Sequence, residues 1–350
     1  MVTTAFTRKF SDIKAADVIA VGEKNAILGE IYSQLSPQGL RIPNGFAVTS
    51  FAFEHFLTAN ALHQPLNELM NELDQENYSN LKSISAKARA LILRAITPYF
   101  IVVSVRNAYE ELCNNKEKSV AVVVRSSAYA ANLPLVSFAD LHESFLSIDN
   151  EDSLLEAIKK CFASLYSDRA IKYRVDNHLA HARLSFSIGV QKMVHSQNSY
   201  AGTMTESACG EMLEIKASTY SKESPGQSAD SSDNYVISRS ALLQHKNPFI
   251  KKRIRKDHRM HVTEGNNQIQ PGYILTDTEI ITLANWAFMI DAHFGKQMDI
   301  EWMKDGKTGE LYIVRAMPAT LPAREKQHSM QRYNAPVKSL ITATRKAVVS

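Results

Sequence analysis

Apolar positions recur at helical spacing in several separate stretches of the chain. Between Asn25 and Leu35, the residues Ile27, Leu28, Ile31 and Leu35 fall on one helical face, and Pro37 and Gly39 follow as stop signals. Ser50 can cap a second helix over the ten residues that follow it, and a helical period predominates from 66 to 114. From Ser153 to Val175, Leu154, Ile158, Phe162, Leu165 and Ile171 keep near-helical spacing with the charges opposite, which predicts one long amphipathic helix. Thr276 and Glu279 have the spacing of a capping box that opens a further helix through Leu283, Trp286, Ile290 and Phe294.

Other stretches have the two-residue period of strands. Ser119 to Val124 is short and almost continuously apolar, as in a strand buried on both faces, and is expected to end at Arg125-Ser126-Ser127. Leu184, Phe186, Ile188 and Val190 alternate with small or polar residues and lead into Gln191, Lys192, Met193 and Val194. Near the end, 297–304 and 310–316 alternate on either side of a turn containing Asp305-Gly306, the pattern of a hairpin. The polar, Ser-rich stretch from Ser218 to Asn234 reads as a loop between two halves. Helices interspersed with strands, closed by a hairpin, predict a mixed α/β (α+β) protein of two lobes.

Composition narrows the class. At 350 residues, 45% hydrophobic and 22% charged, the chain can bury a large core, which excludes disorder and collagen. No 18 uncharged apolar residues run together, and the first 18 residues lack the apolar segment of a signal peptide, so a cytoplasmic protein with no membrane partner is expected. Cys113, Cys161 and Cys209 have no CxxC spacing and read as free thiols. The net charge of +4 does not point to nucleic acid. Glycine is scarce: there are 13, none of them between Gly45 and Gly189, where average usage predicts about 25. Phosphate-binding loops depend on glycine to bring backbone N–H groups close to the ligand, so the places where it is missing carry information.

A few residue groups can carry chemistry. Gly22-Glu23-Lys24-Asn25 lies where a loop enters a helix, so free N–H groups, the helix dipole and the Lys24 ammonium can converge on an anion; a surface lysine beside a helix start is the simpler reading of the same residues. Arg125 follows a buried strand and precedes two hydroxyls, which suits a phosphate contact or a structural ion pair. Asp299 and Glu301 share one strand face, opposite Met298, Ile300 and Trp302, and offer either a carboxylate for Mg²⁺ or a solvated sheet face. The basic run 246–259 lacks interleaved aromatics and reads as a solvated basic hairpin rather than a nucleic-acid contact. His178/His181 and His258/His261 are spaced by three, but no carboxylate or cysteine completes a metal site.

Taken in order, the motifs VGEKNAILGE, IPNGFAVTSFAFEHFL, VVVRSSAYAANLPLVSFADLHESFL, FASLYSDRAIKYRV, SIGVQKMV, LTDTEI and MDIEWMKDGKTGELYIVRAMP, from about Val21 to Pro318, resemble the N-terminal nucleotide-binding domain of the phosphoenolpyruvate synthase (pyruvate, water dikinase) family. That family is related to pyruvate phosphate dikinase and rifampicin phosphotransferase. The resemblance implies an ATP-grasp fold: an N-terminal lobe over 1–195 with a helical insertion at about 55–115, a C-terminal lobe over 196–320, and a tail over 321–350 that resembles an interdomain linker. It implies ATP between the lobes, with Mg²⁺. Lys24 matches the lysine on the nucleotide phosphates and Arg125 the phosphate-binding arginine of the VRSS motif. Gln191, Met193 and Val194 match the strand where adenine meets backbone, and Glu301 matches the Mg²⁺-binding glutamate.

The departures are as specific as the matches. In Val314-Arg315-Ala316-Met317-Pro318, Arg315 stands where the family has the glutamine that helps hold Mg²⁺, and Met317 where it has an arginine that clamps phosphate. If strand register sets Glu301 opposite Arg315, the two are expected to form an ion pair in the place of the metal. Glu23 replaces a second glycine, Ala131-Asn132 an acidic pair, and glycines are also missing near Asp140 and around Lys222, Glu223 and Ser224. The chain also ends before the phosphohistidine domain and barrel of the family could begin. Three readings follow: a nucleotide-binding relative with weak or lost phosphotransfer, including a pseudoenzyme that acts by binding a protein partner; an active ATP-dependent kinase domain that phosphorylates a histidine on a separate phosphohistidine-domain protein; and a nucleic-acid binder built on 246–259.

Overall fold

A computed structural model describes residues 5–113, 119–129, 144–179, 185–195, 199–207, 209–219, 231–244, 249–255, 260–264 and 273–319. The first part of the chain runs β1 (Thr7–Lys9), α1 (Val18–Glu30), β2 (Gly45–Val48), α2 (Ser50–Ala59), α3 (His63–Asn71), α4 (Leu81–Arg94), α5 (Tyr99–Leu112), β3 (Val122–Tyr129), β4 (Ser144–Ile148), α6 (Glu151–Ser164), α7 (Asp168–Asp176) and β5 (Ser185–Lys192). The second runs β6 (Tyr200–Glu206), β7 (Met212–Thr219), β8 (Ser231–Ser238), α8 (Arg239–Leu243), β9 (Phe249–Arg255), β10 (Met260–Glu264), α9 (Asp277–Phe294), β11 (Met298–Lys304) and β12 (Leu311–Pro318). The strands form two antiparallel sheets, ordered β1-β2-β5-β3-β4 and β10-β9-β8-β7-β6-β11-β12, so the fold is α+β.

The first sheet is centred on β5, which pairs with β2 through Gly45 and Gln191 and with β3 through Val123 and Gln191. The helices inserted between β2 and β3 pack on it together with α6 and α7. Their core is aromatic: Phe53 lies 4.9 Å from Phe162 and 5.2 Å from Phe186, ring centre to ring centre. Burying one such side chain stabilises by about 1.5–3 kcal/mol. A second core joins Phe10, Ile13 and the buried face of α1 to Met204, Ile215, Tyr235 and Trp302 of the second sheet and to Leu283, Trp286 and Ile290 of α9. Helix α1 therefore lies between the sheets and packs on both.

Three expectations change in detail. The long helix over 153–175 is two helices, because Ser167 takes an extended backbone and its hydroxyl accepts from the Ala170 N–H at 3.3 Å, starting α7 afresh. Both helices still face the same core, which is why the apolar period runs through the break. Strand β3 does not end at Arg125 but continues to Tyr129, with Ser126 opposite Ile188 and Ser127 opposite Ser187 in the β5 ladder. The Ser-rich stretch does not divide halves of the molecule. It connects β7 and β8, neighbours in one sheet with Ser218 opposite Ser232, and residues 220–230 of it lie outside the described residues. The change from one sheet to the other falls between β5 and β6 instead.

Thr276 and Glu279 form the capping box at the start of α9. The basic run contributes β9, which pairs with β10 as Ile254 with Met260; residues 256–259 are outside the described residues. Cys113, Cys161 and Cys209 are free thiols. Among the described residues no single helix is long and apolar enough to cross a membrane, although the bent pair α4 and α5 reaches that length and composition together.

Candidate functional site

The start of α1 is held by a buried polar network. The helix is interrupted at Gly22, whose φ of 70° and ψ of 164° lie outside the helical region. A Cβ there would come within 2.3 Å of the Ser127 Oγ and 2.5 Å of its carbonyl oxygen, so this close approach to β3 requires glycine. Just past the break, the Asn25 N–H donates to the Ser127 Oγ at 3.4 Å, and its side-chain amide donates to the Val21 carbonyl at 2.9 Å and the Ser187 hydroxyl at 3.3 Å. Ser187 in turn donates toward the carbonyls of Val21 and of Ser127, the latter at 3.0 Å. Gly189 leaves room for Asn25, whose Oδ1 would lie 2.3 Å from a Cβ at that position. Lys24 thus sits on the first turn of a helix whose N-terminus is seated on β3. Sequence reasoning named Gly22 to Asn25 and the two hydroxyls after Arg125, but Ser187 and Gly189 carried no signal beyond strand alternation.

Glu23, beside Lys24, is only 7% exposed. Burial pushes its carboxyl up to about 7, against the opposing pull of Lys296 and Lys24. A carboxyl that is anionic at higher pH therefore stands next to Lys24 on the first turn of the helix.

Arg125 lies inside β3, opposite Gly189 on β5 and Ser144 on β4. Its guanidinium donates to the Val314 carbonyl of β12 at 3.4 Å, so it spans from the first sheet to the second. Gln191 is buried, and its side-chain amide donates to the Pro43 carbonyl at 3.2 Å, turning it into the protein. The Met193 N–H donates to the Ala121 carbonyl at 2.8 Å, and the Ser147 hydroxyl donates to its sulfur at 3.5 Å. Val194 is buried with Ala201, Met303 and Val314, an apolar patch beside the connection between the sheets. Sequence reasoning missed the next residue: the His195 backbone N–H and ring Nδ1 meet the Asp305 Oδ2 at 3.0 and 2.8 Å.

Glu301 and Arg315 are register partners on β11 and β12, and Arg315 Nη1 donates to Glu301 Oε1 at 2.6 Å. Two positions on, the buried Met317 lies opposite Asp299. The ion pair expected from the sequence forms. These residues do not fit a bound Mg²⁺: the carboxylate already holds a guanidinium, which has no lone pair to offer a metal. A divalent ion about 4 Å from that guanidinium would meet a repulsion of about 8 kcal/mol at an effective dielectric of about 20. Among the described residues no group of three or more His, Cys, Asp or Glu side chains is placed to hold a metal ion. His181 and His258 lie outside the described residues, as do Ala131, Asn132, Asp140, Lys222, Glu223 and Ser224.

Residues 18–336 match the family described as "Pyruvate phosphate dikinase, AMP/ATP-binding domain". The phosphoenolpyruvate synthase of Synechocystis sp. is 34% identical over 99% of this chain and 45% of its own length. The phosphoenolpyruvate synthases of Pseudomonas aeruginosa and Escherichia coli are each 33% identical, over 95% and 97% of this chain and 44% and 45% of their own lengths. The chain spans less than half the length of these curated relatives.

Proposed function

The chain belongs to the pyruvate phosphate dikinase AMP/ATP-binding domain family, a fold of ATP-grasp type, and from that premise we propose that it binds an adenine nucleotide between its two sheets while phosphoryl transfer is slowed by orders of magnitude. One observation carries the binding half: the helix turn bearing Lys24 is seated on β3 through Ser127, and Arg125 of that same strand reaches β12. Two cations and a helix N-terminus on interlocked elements suit a polyphosphate. Val194 and its neighbours Met303 and Val314 provide an apolar patch for the base, and the backbone of Gln191 and Met193 runs beside it.

The transfer half rests on what replaces the reactive groups. Phosphoryl transfer is catalysed almost entirely by positioning and by stabilising charge on the moving phosphoryl group. Here Glu301 is tied to Arg315, Met317 supplies no charge, and Glu23 adds a carboxyl beside Lys24. We take the lobes to divide near residue 195, supported by the change of sheet between β5 and β6, and the setting to be cytoplasmic. The second reading, transfer to a histidine of a separate protein, draws on the same Lys24 and Arg125.

Calorimetric titration with ATP, ADP and AMP tests binding; failure of all three to bind refutes the proposal. Release of ADP from ATP, followed with and without an added phosphohistidine-domain protein, tests transfer. Turnover at ordinary kinase rates would favour the second reading.

A further inference from the structure

This inference rests on the reading of the cleft as a nucleotide site. We infer that the site holds the phosphates with side-chain cations alone and takes the free, uncomplexed nucleotide, with Arg315 as the fixed counter-ion of Glu301. The pair sits at matched register with 2.6 Å between Nη1 and Oε1, and its side chains are 29% and 40% exposed, so a ligand can reach it. Immediately before Arg315 on β12 is Val314, whose carbonyl takes the Arg125 guanidinium at 3.4 Å. Helix α1, whose first turn past the Gly22 break carries Lys24, packs on both β3 and β12. Three elements in mutual contact, α1, β3 and β12, therefore each carry a cation, and the carboxylate beside Arg315 has no need of a metal.

The two kinds of cation do different chemistry. Mg²⁺ demands an octahedral oxygen shell, drawn from carboxylates, water and phosphate together. A guanidinium is a planar fork of five donors that can serve a carboxylate and a phosphate oxygen at once. It is also covalently part of the chain, so it is present at any metal concentration and competes with a metal for the Glu301 carboxylate. A nucleotide already chelated by Mg²⁺ brings to this site a cation that Arg315 repels.

The test is calorimetric titration of ATP into the full chain, in EDTA and in excess Mg²⁺. The natural chain is expected to bind in EDTA at least as tightly as in Mg²⁺. Arg315→Gln should weaken binding in EDTA by about tenfold or more and make it improve on adding Mg²⁺. Glu301→Gln, which leaves Arg315 without its carboxylate, should tighten binding in EDTA, a gain that a misfolded variant cannot mimic. A natural chain that binds only with Mg²⁺, or an Arg315→Gln variant that binds unchanged in EDTA, overturns the inference and leaves the nucleotide site standing. No binding of ATP, ADP or AMP in either buffer overturns the nucleotide reading itself, so the two failures are distinguishable.

Discussion

Asp305 binds His195 twice, through the backbone N–H at 3.0 Å and the ring Nδ1 at 2.8 Å, and so fastens the connection between the sheets to the turn of the β11–β12 hairpin. Its other oxygen accepts the N–H groups of Lys307 and Thr308, both at 2.8 Å, and the Gly306 N–H returns to the His195 carbonyl at 3.0 Å. One carboxylate thereby ties the turn to His195.

Asp305→Ala is expected to cost about 1–3 kcal/mol, because it removes the acceptor of three part-buried backbone N–H groups at once. Burial acts against the charge on Asp305, but the N–H groups of Thr308, His195 and Lys307 outweigh it and hold the carboxyl well below the usual range. A depressed acid stabilises above its unfolded value, 3.8 here, and loses that contribution as pH falls further. The difference in Tm between the natural chain and the variant should thus be constant from pH 6 to 8 and shrink below about pH 4. Faster hydrogen exchange at the Gly306 amide in the variant would localise the effect; an unchanged Tm at neutral pH would refute it.

Gly22→Ala is expected to destabilise by about 3 kcal/mol or more, combining left-handed backbone strain with overpacking against Ser127. The 2.3 and 2.5 Å approaches are to a hydroxyl and a carbonyl of a central strand, and the backbone cannot yield without disturbing the β5 ladder. The urea midpoint should fall while the m-value stays constant. Nucleotide affinity should fall with it, since the Lys24 turn can no longer rest on β3. A variant with the natural midpoint would show that the Gly22 contact is not required.

Local patterns were read correctly where one element determines itself. The Thr276–Glu279 box and the 298–318 hairpin are set by residues within a few positions of one another, so periodicity and turn chemistry suffice. The Glu301–Arg315 pair was accessible for the same reason, as a short turn fixes the register of the two strands. What escaped depends on pairings across the fold. Ser187 meets Val21, and His195 meets Asp305 more than a hundred positions along the chain. The end of β3 was misplaced because Ser126 and Ser127 look like turn residues until β5 is beside them to accept them in a ladder. The break at Ser167 was missed because the apolar stripe on either side serves one core.

Arg174 on α7 is fully buried, none of its guanidinium nitrogens has a hydrogen-bond partner among the described residues, and the group lies 5.2 Å from the centre of the Tyr166 ring. Burial lowers its pKa to about 10, with Tyr166 acting in the opposite direction, so it is charged at neutral pH. A buried cation supported chiefly by a ring face gains less than its desolvation costs. Arg174→Met, similar in length and apolar, is therefore expected to stabilise by about 1–3 kcal/mol. Arg174→Ala should destabilise by about 2 kcal/mol instead, through the cavity it leaves. Chemical denaturation of both variants reads the two signs, and a Met variant less stable than the natural chain would mean the cation is a net support.

Glu23 links folding, nucleotide binding and pH. Its carboxyl is raised from 4.5 to about 7, first by burial, with Lys296 and Lys24 opposing. For an acid whose folded value is raised, the folded state holds the proton longer than the unfolded chain does. Stability therefore declines as pH rises from 4.5 to about 7 and is level above that. Glu23→Gln should accordingly match the natural chain below pH 4.5 and exceed it at pH 8 by about 3 kcal/mol. Binding follows the same proton. A phosphate beside Lys24 is repelled by ionised Glu23 and not by its neutral form, so the natural chain should bind ATP more tightly at pH 6 than at pH 8. The nucleotide titrates in that range as well, and Glu23→Gln measured alongside removes that contribution, leaving a flatter profile for the variant. Parallel profiles for the two proteins would show that Glu23 does not face the phosphates.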